Sequence, residues 1–201
     1  SGDIKKLATS DLPDKPDLVW ASFPCQDLSL AGGGAGLKGE RSGTFWPFWR
    51  LMKGLITEAR GPSIIVLENV CGTLTSHGGK DFATICRTLR KGGYRCGAMV
   101  IDAAYFVPQS RPRLFVVATR EDLDLPTGVV DEQDLLGDVS ASPWRSRALT
   151  TAYGALSAED KANWIWWRLP EPAKRNTVFA DLIGWRGRTE GRTIWHVLAI
   201  L

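Results

Sequence analysis

The stretch Asp17-Leu18-Val19-Trp20-Ala21-Ser22-Phe23-Pro24-Cys25-Gln26 begins as an apolar run and closes on a single thiol. A short run of this kind, bounded by charge on one side and proline on the other, reads as a buried strand of a parallel sheet. Cys25 then stands at the strand's carboxyl end, where open α/β sheets place their chemistry. Pro24 locks its own φ and so fixes the angle at which Cys25 is presented. A thiol held rigidly from behind and open in front suits a nucleophile, although most cysteines are small buried hydrophobes.

Two further runs carry charge at their ends, where a core strand should have none. Ser63-Ile64-Ile65-Val66-Leu67 leads into Glu68-Asn69-Val70, and Gln109-Ser110-Arg111-Pro112-Arg113 leads into Leu114-Phe115-Val116-Val117-Ala118. Both have the composition of central strands in a parallel sheet. Around them, Phe45, Phe48, Trp49, Met52, Leu55 and Ile56 recur at helical spacing and are stopped by Gly61-Pro62. Phe82, Ile85, Cys86 and Leu89 predict a second helix over Asp81 to Lys91, ended by Gly92-Gly93, and Tyr94 to Ala103 reads as another strand. The rhythm of strand, helix, strand, helix, strand, strand implies an α/β doubly wound sheet with crossover helices. Leu28 to Arg41, with five glycines, reads as a mobile loop.

The order Pro-Cys-Gln, then Glu-Asn-Val, then Gln-x-Arg-x-Arg resembles the cytosine-5 DNA methyltransferase family. Gly2-Asp3-Ile4 looks like that family's adenosine-contacting strand end, and Arg41-Ser42-Gly43-Thr44-Phe45 like its cofactor-side helix start, with Thr44 where an apolar residue is more usual. The resemblance is good over residues 2 to 120 and looser beyond. It implies a Rossmann-like S-adenosylmethionine-dependent methyltransferase sheet, incomplete because no Gly-rich cofactor turn precedes Asp3 and the family's last two motifs are missing. It further implies a catalytic core over residues 1–120, then a connector and the start of a target-recognition region over residues 121–201. On this reading the chain is a fragment or one half of a split enzyme, with a second polypeptide supplying the rest, and residues 1–201 alone bind cofactor weakly.

The implied reaction explains the residue types. Carbon 5 of cytosine is too poor a nucleophile to take a methyl group from a sulfonium directly. A Cys25 thiolate adding to carbon 6 makes an enamine whose carbon 5 attacks the methyl group; loss of the carbon 5 proton then expels the thiolate. Glu68, as a carboxylic acid in the base plane, would hydrogen-bond or protonate nitrogen 3, which asks for a dry, hydrogen-bonded setting. Arg113 would donate to the carbonyl at carbon 2 and Arg111 would brace the site or the loop, roles suited to a planar cation. By the same resemblance Asp3, Ile4, Pro24 and Thr44 would face S-adenosylmethionine, while Gln26, Ser29, Asn69 and Gln109 would face the DNA or orient the pocket. A base in a duplex must be flipped out, which costs a few kcal/mol; contacts from Glu68 and the arginines, at roughly 1.5 to 3 kcal/mol each, could offset that. The Gly-rich loop would close over the flipped base.

Composition bounds these readings. The chain has 201 residues with 44% hydrophobic content, enough for one sizeable core. No run reaches the roughly 20 apolar residues of a bilayer span, and a cytoplasmic or nucleoid-associated protein of a restriction-modification context is expected. Cys25, Cys71, Cys86 and Cys96 form no C-x-x-C pair and only His77 and His196 accompany them, so no metal site is expected. Cys71, Cys86 and Cys96 read as packing residues, and the Trp46, Phe48 and Trp49 cluster as core. A net charge of +3 is weak by itself. Its distribution is more telling: residues 61–120 hold eight Lys or Arg against three Asp or Glu, and residues 121–140 hold seven acidic side chains and no basic one. Alternatives to a DNA enzyme are an RNA cytosine-5 methyltransferase of the same family and a catalytically silent assembly subunit. A cysteine hydrolase would need a histidine base, for which His77 in Ser-His-Gly-Gly shows no pairing to Cys25.

Overall fold

The structure, a computed structural model, describes residues 3–12, 14–23, 45–131 and 142–179. Four strands form one sheet: β1 (Leu18–Ser22), β2 (Ile64–Val70), β3 (Tyr94–Asp102) and β4 (Pro112–Arg120), in the order β1-β2-β4-β3. The helices are α1 (Phe45–Thr57), α2 (Lys80–Lys91), α3 (Arg147–Gly154) and α4 (Ala158–Ala162). Contacts divide the chain into two compact units, Ser1–Ile101 with Arg113–Pro170, and Asp102–Pro112 with Glu171–Leu201.

β1 and β2 pair in parallel, with α1 in the connection between them, and Ser22 lies opposite Glu68. β4, however, runs antiparallel to β2, with Val70 opposite Arg113 and Glu68 opposite Phe115. The expectation of a parallel arrangement for the run around Phe115 is corrected here, and the reason is length. A parallel return needs a crossover of a dozen residues or more, whereas only residues 103–111 separate β3 from β4. At the far end the Glu121 N–H donates to the Gly93 carbonyl at 3.0 Å, so the end of β4 meets the start of β3.

Strand alternation sorts the side chains. Val19, Ala21, Ile65, Leu67, Leu114, Val116 and Ala118 face a core that also takes Phe48, Met52 and Leu55 from α1, Phe82, Ile85 and Leu89 from α2, and Leu149 from α3. Fully burying each of these large side chains contributes about 1.5–3 kcal/mol. Cys86 and Cys96 are buried in the same core, as read from the sequence, and burial pushes the Cys86 thiol well up. Phe48 is buried too, but Trp46 is 42% exposed, its ring edge against Phe45.

Residues 163–167 lie along β3 through an N–H from Cys96 to the Asn163 carbonyl and from Ile165 to the Cys96 carbonyl, at 3.1 and 2.9 Å. Gly97 allows this approach, since a Cβ there would sit 1.7 Å from the Ile165 carbonyl oxygen. Trp164 and Trp166 then cluster with Tyr153, and Arg145 stacks over Trp166 while pairing with Asp131 at 2.8 Å. Part of the acidic stretch is thereby tied to this layer, the Asp131 N–H donating to the Trp166 carbonyl. Neither α3 nor α4 was anticipated. Each begins at a serine cap, Ser146 accepting from the Leu149 N–H and Ser157 from the Asp160 N–H.

Tyr94 closes the base of the sheet, its buried hydroxyl donating to the Pro62 carbonyl at 2.7 Å. Burial first, with Arg120 opposing and Asp122 adding, raises its pKa to about 12. A raised folded value means stability fully present below the unfolded value of about 10 and lost as pH climbs toward the folded one. Tyr94→Phe should therefore cost about 1–3 kcal/mol at neutral pH, by orphaning the Pro62 carbonyl. It should also flatten the alkaline loss of stability between pH 10 and 12 in urea titrations; an unaltered midpoint at both pH values would contradict this.

Candidate active site

The carboxyl ends of β1 and β2 and the amino end of β4 share one edge of the sheet, because β4 runs opposite to the other two. Glu68 and Arg113 point from that edge on the same face, and Arg113 Nε lies 3.1 Å from Glu68 Oε1. The two side chains are 23% and 24% exposed, so this is a partly open ion pair, and the dry setting expected for Glu68 is not built among the described residues.

Asn69 alternates to the opposite face and is 5% exposed. Its Nδ2 donates to the Phe23 carbonyl at 3.2 Å, and its Oδ1 accepts the Val70 N–H at 2.9 Å. Phe23 is itself buried, its ring 5.6 Å from that of Phe45 at the start of α1. The chain leaving β1 is therefore held by a carboxamide and an aromatic contact two residues before Cys25. Pro24, Cys25, Gln26, Ser29 and Thr44 lie outside the described residues.

Asp3 and Ile4 belong to the segment packed on α1. The Asp3 carboxylate caps a single helical turn by accepting the Lys5 N–H at 3.0 Å, and Ile4 packs against the core. Arg50 pins this segment by donating to the Lys5 and Leu7 carbonyls at 3.2 and 3.1 Å. Arg60 does the same for the lead into β1 through the Leu12 and Asp14 carbonyls. The exposed Asp3 carboxylate keeps acceptor capacity beside the apolar Ile4 side chain, a pair that could meet the amino edge and face of an adenine.

Gln109 and Arg111 belong to the second unit, both exposed. There Asp102 gathers the connection between β3 and β4, a role no sequence pattern had flagged. Its Oδ1 accepts the Ala104 and Arg111 N–H groups at 3.0 and 2.6 Å, and its Oδ2 accepts the Ser110 hydroxyl at 2.8 Å. The Ala104 N–H foremost holds the Asp102 carboxyl below its ordinary value, burial opposing it next and the Ser110 and Arg111 bonds adding to the lowering. Cys71, just past β2, packs against the core. His77 pairs with Asp81 at 2.8 Å. Among the described residues no group of His, Cys, Asp and Glu could hold a metal ion, and no helix is long and apolar enough to cross a membrane.

Asn69→Ala should lower stability by about 1–3 kcal/mol, because it strands the buried Phe23 carbonyl; a urea midpoint equal to that of the native protein would show that this carbonyl is not held. For Asp102 the sign runs the other way from Tyr94. A depressed folded pKa stabilises above the unfolded value of about 3.9 and the benefit fades as pH falls through the folded value. The amide resonances of Ala104 and Arg111 should shift together on acidification with a midpoint below about 3.9, and a higher midpoint or independent shifts would contradict the shared carboxylate.

The profile of the family described as C-5 cytosine-specific DNA methylase matches residues 1–165. The type II methyltransferase M.BsuFI of Bacillus subtilis is 36% identical over 125 residues, 62% of this chain and 29% of that protein. The type II methyltransferase M.HaeII of Haemophilus aegyptius is 35% identical over 123 residues, 61% of this chain and 37% of that protein. A solved structure of the S. pombe Dnmt2 methyltransferase aligns with a TM-score of 0.48 at 23% identity, over 62% of this chain and 37% of that one. The chain spans about a third of the length of the curated relatives it matches. With most of its residues matched, and the thiol, acid and guanidinium motifs in the family's order, the chain belongs to the C-5 cytosine-specific DNA methylases.

Proposed function

We propose that these residues form the catalytic segment of a DNA cytosine-5 methyltransferase, acting on a cytosine flipped out of duplex DNA. The observation that carries this reading is the meeting of Glu68 and Arg113 at 3.1 Å on the sheet edge where Asn69 holds the chain that leads to Cys25. Acid, cation and the approach to the thiol then serve one planar ring.

In this reading the Cys25 thiolate bonds to carbon 6 of the base and electrons move toward nitrogen 3. Glu68 meets that charge, donating a proton or hydrogen bond through the carboxyl oxygen outside its bond to Arg113. The base itself displaces water from the partly open pair. Arg113 is held by Glu68 in the plane that suits the carbonyl at carbon 2, and its guanidinium stays charged there. S-adenosylmethionine supplies the methyl group when bound. Asp3 and Ile4 would hold its adenine edge, with Pro24 and Thr44 completing the contact. Carbon 5 takes the methyl group and the demethylated thioether departs; the carbon 5 proton then passes to solvent water, its C–H electron pair re-forms the carbon 5–carbon 6 double bond, and the Cys25 sulfur leaves carbon 6 with the C–S pair as thiolate while Glu68 takes back the proton from nitrogen 3.

Asn69 acts on backbone rather than on the base, because a buried carboxamide bound to the Phe23 carbonyl cannot also reach a nucleotide. Gln26, Ser29 and Gln109 are the residues for phosphate and neighbouring bases. Residues 121–201 would lead toward a target-recognition region.

The test is covalent capture by the protein produced from its complete reading frame, using a duplex that carries 5-fluorocytosine, with S-adenosylmethionine present. Fluorine cannot leave as a cation, so the adduct persists. Capture should map to Cys25 and vanish in Cys25→Ser. Glu68→Gln, which keeps the shape and loses the proton, should slow capture by about 10²-fold or more, and Arg113→Lys by about tenfold through loss of the planar fork. Absence of any adduct, or an adduct that survives Cys25→Ser, would overturn the reading.

A further inference from the structure

The connection between β3 and β4 carries Gln109 and Arg111, yet none of residues 103–111 is buried and Phe106 near its tip is 58% exposed. Hydrophobic packing therefore does not fix its course. A connection of this length with an uncovered tip keeps much of its conformational freedom unless polar bonds restrain it. Its backbone bonds are local: the Phe106 and Val107 N–H groups donate to the Ala103 carbonyl at 2.9 and 2.8 Å, and the Gln109 N–H to the Val107 carbonyl at 2.8 Å. The Ala103 N–H reaches the Arg111 carbonyl at only 3.4 Å.

One carboxylate ties the two ends of the connection together. Asp102 binds the entry at Ala104 and the exit at Ser110 and Arg111, with the Arg111 N–H at 2.6 Å the shortest of the three. Bonds from an ionised acceptor are about twice as strong as neutral ones.

We propose that Asp102 is a positioning residue, clamping the two ends of the 103–111 connection so that Gln109 and Arg111 are presented in one arrangement to the nucleic acid. This rests on the methyltransferase reading of the site. The demand is stringent, since misplacement of a contacting group by an ångström can cost about a hundredfold in rate.

The clamp makes a separable prediction for two substitutions. Asp102→Ala removes both acceptor oxygens and with them all three bonds. Asp102→Asn retains Oδ1, which accepts both backbone N–H groups, and its amide can donate to the Ser110 hydroxyl.

Two readouts decide the matter. Without substrate, amide hydrogen exchange at Arg111 should accelerate about tenfold or more in Asp102→Ala and stay near the native rate in Asp102→Asn. Capture of the 5-fluorocytosine duplex should slow about tenfold in Asp102→Ala, with the urea midpoint little changed, and recover to within about threefold in Asp102→Asn. Unchanged Arg111 exchange in Asp102→Ala would overturn the clamp, and this holds whether or not the native protein forms an adduct. Native capture that proceeds equally well in Asp102→Ala would overturn the positioning role while leaving the methyltransferase reading intact. A failure of the native protein to capture would sink both the reading and the role that rests on it.

Discussion

The antiparallel pairing of β2 with β4 is the constraint on which the site depends. Parallel β1 and β2 deliver Ser22 and Glu68 to the same edge with their chains running outward. A third strand in the same sense would send the arginines that precede it to the far end of the sheet, about 3.3 Å away per residue of strand. Reversing β4 puts its start where the other two finish, and Arg113 lands beside Glu68. The reversal costs little, because a nine-residue connection cannot make a crossover but suits an antiparallel return.

The protein holds its backbone in two different ways. At the exit of β1 the restraint is buried: Asn69 bonds the Phe23 carbonyl from inside the core, and Phe23 packs on Phe45. At the 103–111 connection the restraint is polar and only half-buried, with Asp102 collecting three donors. Buried bonds are dear to break, since the orphaned group stays without water. The Asp102 carboxylate, half-buried, holds its segment through charge-assisted bonds that water can reach.

Much of this was legible in the sequence. α1 and α2 announce themselves through apolar residues at helical spacing with glycine or proline stops, and β2 through a β-branched run. Glu68, Asn69 and Arg113 stood out because charged or amide residues at strand ends contradict a core pattern. The direction of β4 was also on the page, in two strands with no helix between them and in arginines that open a strand instead of closing one. It was missed because the apolar run at Leu114 to Ala118 has the composition of a parallel core strand, and composition does not encode direction. α3 and α4 are short, and what starts them is a serine cap, a one-residue signal. Asp102 was invisible for a different reason: its partners are two backbone N–H groups and a serine, which any stretch of chain supplies. Trp46 shows the opposite error, an aromatic assigned to the core that the turn of α1 leaves partly outside.

The central claim is that sulfur, acid and guanidinium serve one pyrimidine at this edge of the sheet. A crystal structure of the protein joined to a duplex carrying 5-fluorocytosine tests it most directly. The account predicts a bond from Cys25 Sγ to carbon 6, the Glu68 carboxyl within hydrogen-bond reach of nitrogen 3, and Arg113 within reach of the carbon 2 oxygen, with Asn69 still on the Phe23 carbonyl. A base bound with Glu68 and Arg113 turned away to pair only with each other would contradict it.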